Sequence, residues 1–386
     1  MSQSTRSVLA TVFVLLCNTV AGMRSIHLCV NPFGGGGAGL DAKDAVLPMF
    51  QAAGIDVTLL ETQYAGHAGD YARTLELLDG FVGIGGDGTA HEIANAMLKR
   101  PEHERVPIGI VPAGSGNTWA LDLGLSDPVE AARAIIASHT QMVDVMAISP
   151  TDQESSSVQE YAINIAGYGM PAAVLEQANA LRVLGSAQYE LAGLILIATG
   201  KTTFAATLVV ETADGETITR ELDDFRCTPP AARLPTRPLA NRARASVLQH
   251  SFAQGQVNMH MGKQVCFAPG ARMADGLLDL VLITRSGGAD ILRANAMARA
   301  ATHVELPFVE MIRCKSYELR PRAAPPRLKA TLNLDGELLN GMAPFRAECV
   351  PNALEVYASQ LNEKPMDTSE ELEPQLVLAL LGLFDR

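Results

Sequence analysis

The chain has 386 residues, enough for two ordinary domains with their own cores. Its 42 acidic residues outnumber its 30 basic ones, giving a formal net charge of −12, which argues against nucleic acid as the main partner because phosphate backbones need a basic face. Six scattered cysteines with no CxxC pair argue against a zinc site or a disulfide framework and leave reduced thiols in the core.

Residues 1–22 carry an apolar run from Val8 to Cys17 behind Arg6, followed by the small residues Ala21 and Gly22. Three readings fit it: a secretory h-region, a membrane anchor, or a segment upstream of a true start at Met23. It is short of the ~20 residues of a membrane span. Residues 25–30 then read as a buried strand, and the glycine-rich turn from Asn31 to Gly39 follows. Helical spacing runs over 40–53 through Leu40, Asp44, Leu47 and Phe50; residues 55–60 alternate as a second strand. A helix is expected over 67–79, a strand over 81–84 and a helix over 89–99 that stops before Pro101. A fourth strand over 107–111 leads into the turn Pro112-Ala113-Gly114-Ser115-Gly116-Asn117, and an amphipathic helix covers 128–138. Strands alternating with helices imply a parallel sheet with crossover helices.

From Met142 the texture changes to short strands with turn residues between them, at 143–148, 161–165, 204–211, 217–222, 257–261, 277–283, 316–320 and 331–334. This is the pattern of an antiparallel β domain. Helices interrupt it near 171–200 and at 288–301. The stretch 225–250 holds Arg226, Arg233, Arg237, Arg242 and Arg244 and reads as a long loop, either solvated or facing anionic lipid heads. The domain plan is thus a leader-like or anchor segment at 1–22, an α/β domain at 23–140, a β domain at 141–360 and an acidic, then apolar, tail at 361–386.

Three glycine-rich turns follow three strands, and each opens a helix-like pattern. Glycines there let backbone N–H groups approach phosphate oxygens, and the helix that follows adds its N-terminal dipole. In Gly85-Gly86-Asp87-Gly88-Thr89 the acid is out of place for plain anion binding, because it repels phosphate. It fits if it takes a proton from an incoming hydroxyl, or if magnesium lies between it and the phosphates. The bland reading is a helix cap, and Thr89 can likewise cap or bind phosphate. Gly34, Gly36 and Gly39 also spell the dinucleotide fingerprint, with Glu61 where a ribose-binding acid belongs, so a Rossmann oxidoreductase is an alternative. No G-x-x-x-x-G-K-[ST] occurs, which rules out a P-loop enzyme. His27, His260 and His303 have no metal-ligand spacing.

The ordered motifs N-P-x-x-G-x-G from Asn31, G-G-D-G-T from Gly85, P-A-G-S-G-N from Pro112 and Asp335-Gly336-Glu337 resemble those of the diacylglycerol kinase catalytic domain, whose superfamily includes sphingosine, ceramide and bacterial diacylglycerol kinases. The resemblance covers about residues 25–360. It implies an α/β nucleotide-binding domain followed by a β-sandwich lipid-binding domain, with ATP and Mg2+ as cofactors, a lipid substrate and a peripheral membrane surface as partners. It implies nucleotide contacts from Asn31, Pro32, Gly34, Gly36, Thr62, His67, Gly85, Gly86, Gly88, Thr89, Glu92, Gly114, Ser115, Gly116, Asn117, Arg182, Asp335 and Gly336. Asp87 is the expected proton acceptor, Glu337 the second candidate, and Asp335 the expected magnesium ligand. Gly167-Tyr168-Gly169 through Arg182-Val183-Leu184-Gly185 is similar to the ceramide kinase pattern, as is Phe308-Val309-Glu310, and points to a ceramide-like substrate. Where that branch places an aspartate for the lipid head this chain has Ala173, so sphingoid bases and diacylglycerol stay open. The apolar stretch 190–198 is a candidate wall for acyl chains or plain core. A cytoplasmic, membrane-associated enzyme is expected, since kinase chemistry needs ATP; residues 1–22 leave a secretory or organelle-membrane location open. A small-molecule kinase of the NAD kinase type and a catalytically silent lipid-binding module are the other readings.

Overall fold

The computed structural model describes residues 23–151, 159–181, 187–199, 205–222, 249–261, 265–322, 331–340 and 342–359. They fall into two compact units. The first comprises residues 23–114, 123–141 and 355–359, and the second residues 115–122, 142–354 where described.

In the first unit β1 (Ser25–Val30), β2 (Asp56–Glu61), β3 (Gly80–Gly85) and β4 (Ile108–Pro112) run parallel in the order β4-β3-β1-β2. The three inner strands are almost wholly buried, which is why they read as unbroken apolar runs. β2 is the edge, and its exposed Asp56 and Glu61 are charges of the kind that guard such edges. The connecting helices are α1 (Ala38–Ala52), α2 (His67–Thr74) and α3 (Asp87–Leu98), and α5 (Pro128–Ile136) follows β4 after the short α4 (Thr118–Asp122) of the second unit. α1 packs with α5 and α2 with α3. Asp127 caps α5 by accepting the Val129 and Glu130 amides, with Pro128 in the first turn.

The second unit is antiparallel and β-rich, as expected. It holds β5 (Thr140–Pro150), β6 (Glu160–Ala162), β7 (Ile165–Tyr168), β8 (Ala206–Thr212), β9 (Thr217–Leu222), β10 (Gln249–Gln256), β11 (Leu278–Gly287), β12 (Val309–Pro321), β13 (Thr331–Leu334), β14 (Glu337–Asn340) and most of β15 (Phe345–Tyr357). β13, β7, β10, β11 and β12 pair in that order, and β12 also takes β8 and β15. One core gathers Met146, Leu208, Leu280, Tyr317 and Phe345. A second gathers Phe267, Val281 and Ile283 with Ile291 of α8 (Gly288–Ala298).

Five expectations need correction. The helix expected over 67–79 ends at Thr74, where Leu75 turns to extended backbone. The helix near 171–200 is two, α6 (Met170–Asn179) and α7 (Ala187–Thr199). The strand expected over 161–165 breaks at Ile163 and Asn164, because β6 pairs with β5 whereas β7 pairs with β10 and β13. The strand expected over 257–261 is not one: β10 ends at Gln256, and only His260 makes an isolated bridge, to Cys266. β10, β14 and the long β15 lie where no strand is expected, and β10 begins at Gln249, inside the stretch read as a long loop. Residues 1–22, the arginine stretch 226–244, and the tail from 363 lie outside the described residues.

Candidate functional site

β1 and β3 are neighbours, yet the chain leaves β1 toward β2 and leaves β3 toward β4. Their C-terminal ends therefore diverge, and such a switch point is where open α/β sheets bind ligands. The turns after β1 and β3 flank it, and β4's turn is the next along the edge.

These turns are tied to one another. Asn31 Nδ2 donates to Thr89 Oγ1 at 3.3 Å, and Asn31 Oδ1 accepts the Phe33 and Gly34 amides at 3.0 and 3.1 Å. The Asn31 amide donates to the Ile84 carbonyl and the Ala113 amide to the Gly85 carbonyl, at 2.9 and 2.8 Å. A Cβ on Gly35 would collide with the Ala113 carbonyl, and one on Gly85 with the Thr89 hydroxyl. The asparagine of the first motif and the threonine of the second thus form one clasp, and Thr89, 5% exposed, is part of it. Pro32 lies in the turn and Gly36 has a φ of +72°.

Gly88 differs. It is exposed in the first turn of α3, and a Cβ there would meet nothing within 4 Å. Glycine costs a helix roughly 0.5–1 kcal/mol against alanine. Neither backbone strain nor crowding by the protein calls for it, so the open space at the helix N-terminus fits a ligand, and helix N-termini suit phosphate. Asp87 is the first residue of α3 and half-buried; Gly86 holds the N-cap place, so Asp87 is not the capping residue of the bland reading.

At the next position along the edge, Thr62 is buried and its amide donates to the Val30 carbonyl at 2.9 Å. His67 opens α2 and accepts the Gln63 amide on Nδ1 at 3.1 Å. Glu92, assigned by resemblance to the nucleotide, receives the Gly66 amide on Oε1 at 2.7 Å and the Ala68 amide on Oε2 at 3.2 Å. Its carboxylate holds the start of α2. Cys29 beside it is raised to about 12, first by burial and then by the Glu92 charge, so it is an inert thiol.

In the second unit Asp335 and Gly336, with φ of +51° and +95°, form the two-residue turn joining β13 to β14. Asp335 is 7% exposed. Its Oδ2 accepts the Ile163 amide at 2.8 Å and its Oδ1 the Asn164 and Ile165 amides at 2.9 and 2.8 Å. That anchor is what breaks the strand expected over 161–165. Oxygens facing three N–H donors do not fit the expected magnesium site. Among the described residues no group of three or more His, Cys, Asp and Glu is gathered for a metal. Glu337 is exposed at the head of β14. Gly114 is half-buried, Ser115 exposed, Gly116 half-buried, and Asn117 has a φ of +55°. Arg182 lies outside the described residues. Ala173 is buried in α6. Sequence reasoning missed a buried pair, His260 Nδ1 against Asp122 of α4, whose other oxygen accepts the His260 amide at 3.1 Å. The partners are 138 residues apart, and no local signal links them.

Residues 25–148 match the diacylglycerol kinase catalytic domain family, and residues 164–358 match the YegS C-terminal NAD kinase β-sandwich-like domain family. The chain belongs to the diacylglycerol kinase catalytic-domain family of lipid kinases. Sphingosine kinase 1 of Arabidopsis thaliana is 26% identical over 345 residues, covering 82% of this chain and 68% of that protein. Human ceramide kinase is 31% identical over 192 residues, covering 44% of this chain and 35% of that protein. A Bacillus anthracis diacylglycerol kinase structure, 17% identical, covers 89% of this chain and 99% of its own with a TM-score of 0.59, and so shares its fold. Membership in the diacylglycerol kinase family displaces the oxidoreductase reading of Gly34, Gly36 and Gly39. It implies ATP as a substrate. Among the described residues no helix is long and apolar enough to cross a membrane.

Proposed function

We propose that the protein transfers the γ-phosphate of ATP to the primary hydroxyl of a membrane lipid, most closely a ceramide-like sphingolipid. The observation that carries this reading is the clasp of three glycine turns around the β1–β3 switch point, with the space at Gly88 left open beside Asp87. The triphosphate lies against those turns, where backbone N–H groups and the α3 dipole face its oxygens. Asn31 and Thr89 hold the turns; Gly34, Gly36, Gly85, Gly86 and Gly88 leave the approach free.

The lipid hydroxyl enters beside Asp87. As its oxygen attacks the γ-phosphorus in line, Asp87 takes the hydroxyl proton, the bond from that phosphorus to the bridging oxygen breaks, and ADP leaves. Catalysis of this kind is mostly positioning and electrostatics. A magnesium ion would neutralise charge on the phosphates; Asp335, whose carboxylate is held by three amides, is not suited to hold it. Arg182 and Glu337 remain candidates for phosphate contact and proton transfer by resemblance.

The ceramide-like substrate is supported by the Gly167-Tyr168-Gly169 segment and by the sphingosine and ceramide kinases among the relatives. A bilayer substrate requires the enzyme to work at a membrane surface, from the side that holds ATP. The test is a radiolabelled ATP assay on purified protein with ceramide, sphingosine, diacylglycerol and monoacylglycerol in mixed micelles. Phosphorylation of ceramide above the others supports the reading; preference for another lipid corrects the substrate; ATP turnover with no lipid, or with NAD alone, refutes it.

A further inference from the structure

β10 runs between β7 and β11 in the second unit. Its Gln254 lies opposite Gly167 of β7 and Val281 of β11, and its Gln256 lies opposite Ile165 and Asp279. Alternate residues of a strand share a face, so both glutamines stand on the face that carries Val281 of the second core. Pro171 of α6 lies over Gly167: a Cβ on that glycine would meet Pro171 Cβ at 2.7 Å and Gln254 Oε1 at 3.5 Å. Met261, packed against the second core, offers its sulfur to Gln254 Nε2 at 3.3 Å.

Gln254 and Gln256 are 1% and 0% exposed. Yet Gln254 Oε1 and both polar atoms of Gln256 take no hydrogen bond from the protein, and the bond of Gln254 Nε2 goes to a thioether, a weak acceptor. Asn258 Oδ1, two residues further along the chain, is unpaired as well. Buried polar groups are as a rule hydrogen-bonded, and an amide left unpaired costs stability that an apolar side chain of the same shape avoids. Neither packing nor pairing within the protein calls for glutamine at 254 or 256, so the two amides fit a ligand.

Resting on the lipid-kinase reading, we propose that Gln254 and Gln256 are specificity-determining residues that receive the amide-bearing head region of a ceramide-like lipid. A secondary amide offers one N–H and one carbonyl. A glutamine side chain answers both, its carbonyl accepting the N–H and its NH2 donating to the carbonyl. The second glutamine is left for the lipid's secondary hydroxyl. Diacylglycerol has esters in place of the amide and no N–H to give, so a buried glutamine carbonyl stays unpaired. A sphingoid base carries an ammonium instead, and a buried cation calls for a carboxylate rather than a neutral amide. The carboxylate across from Gln256, Asp279, already faces Arg313, whose Nε is 3.4 Å from its Oδ1.

The test is lipid phosphorylation by Gln254→Met and Gln256→Met, with short-chain ceramide and short-chain diacylglycerol in mixed micelles, beside differential scanning fluorimetry. Methionine keeps the length of the side chain and removes its amide. Loss of one buried hydrogen bond to the lipid should lower kcat/KM for ceramide about 5- to 100-fold. Diacylglycerol should stay within a fewfold of wild type, and Tm should be equal or higher. An unchanged ratio of ceramide to diacylglycerol overturns the assignment. A fall in Tm or failure to fold does so too, since the amides would then serve the fold. A wild type that prefers diacylglycerol overturns it while the lipid-kinase reading stands, whereas a wild type that phosphorylates no lipid overturns both.

Discussion

Gly88→Ala separates what the fold requires from what a ligand requires. A methyl at this place meets no protein atom within 4 Å, and the residue sits in the first turn of α3 with ordinary backbone geometry. The substitution should therefore stabilise the protein, by up to about 1 kcal/mol from helix propensity and reduced unfolded-chain entropy. That corresponds to a rise in Tm of about 2–4 °C for a domain of this size. The same methyl would stand where phosphate oxygens approach the α3 amides. Loss of one hydrogen bond to a charged oxygen costs about 1.5–3 kcal/mol, or about a ten- to hundredfold weaker ATP interaction. Differential scanning fluorimetry without nucleotide, paired with ATP KM or direct titration, reads both. The reasoning requires opposite signs: higher Tm, weaker ATP. A raised Tm with unchanged ATP affinity would refute phosphate binding at Gly88, and a lowered Tm would refute the open space itself.

Asp335→Ala leaves three backbone amides without their acceptor, at about 1–3 kcal/mol each, so calorimetry should record a loss on the order of 4 kcal/mol or failure to fold. A carboxylate serving only a metal would leave the metal-free Tm untouched, and that result would sink the anchor. Asp279, 1% exposed, is raised from 3.8 to about 6, first by burial, with Arg313 opposing and Asp275 adding. The folded state therefore binds this proton more tightly than the unfolded chain, and stability is lost as pH rises from about 4 through 6. Asp279→Asn should flatten that pH dependence and raise stability at pH 7, by on the order of 2 kcal/mol after solvent relaxation; urea melts that give the same change in stability between pH 4.5 and pH 7 in both proteins would contradict it.

The parallel sheet and its glycine turns were legible because both signals are local. Strands buried on two faces become apolar runs, and a strand-to-helix turn that must admit a ligand needs glycine. What stayed hidden depends on partners far away in sequence. Tyr161-Ala162-Ile163-Asn164-Ile165 has the look of one strand, and only the Asp335 carboxylate, some 170 residues later, explains its break. β15 carries Pro351-Asn352 in its middle, a pair that suits a turn; in the fold Asp144 accepts the Asn352 and Gly276 amides at 2.9 and 2.7 Å, and the strand runs on. In the site, Thr89 reads from its residue type as a cap or a phosphate contact, and Glu92 is assigned to the nucleotide by resemblance; the fold gives each a partner within the protein as well. Sequence tells which groups can hydrogen-bond; it does not tell that Asn31 and the α2 amides reach these two. The Asp-Gly pair at 335–336 is a hairpin signal as well as a source of a carboxylate, and in the fold it forms the turn between β13 and β14.

The most direct measurement is lipid phosphorylation by Asp87→Asn beside wild type, with ATP binding titrated on both. Removing a positioned general base typically costs about 10²–10⁴-fold in rate. The expected result is turnover down by at least a hundredfold, with ATP affinity within a fewfold of wild type and Tm unchanged. Lipid phosphorylation within a fewfold of wild type would contradict the assignment of Asp87 as the group that takes the hydroxyl proton.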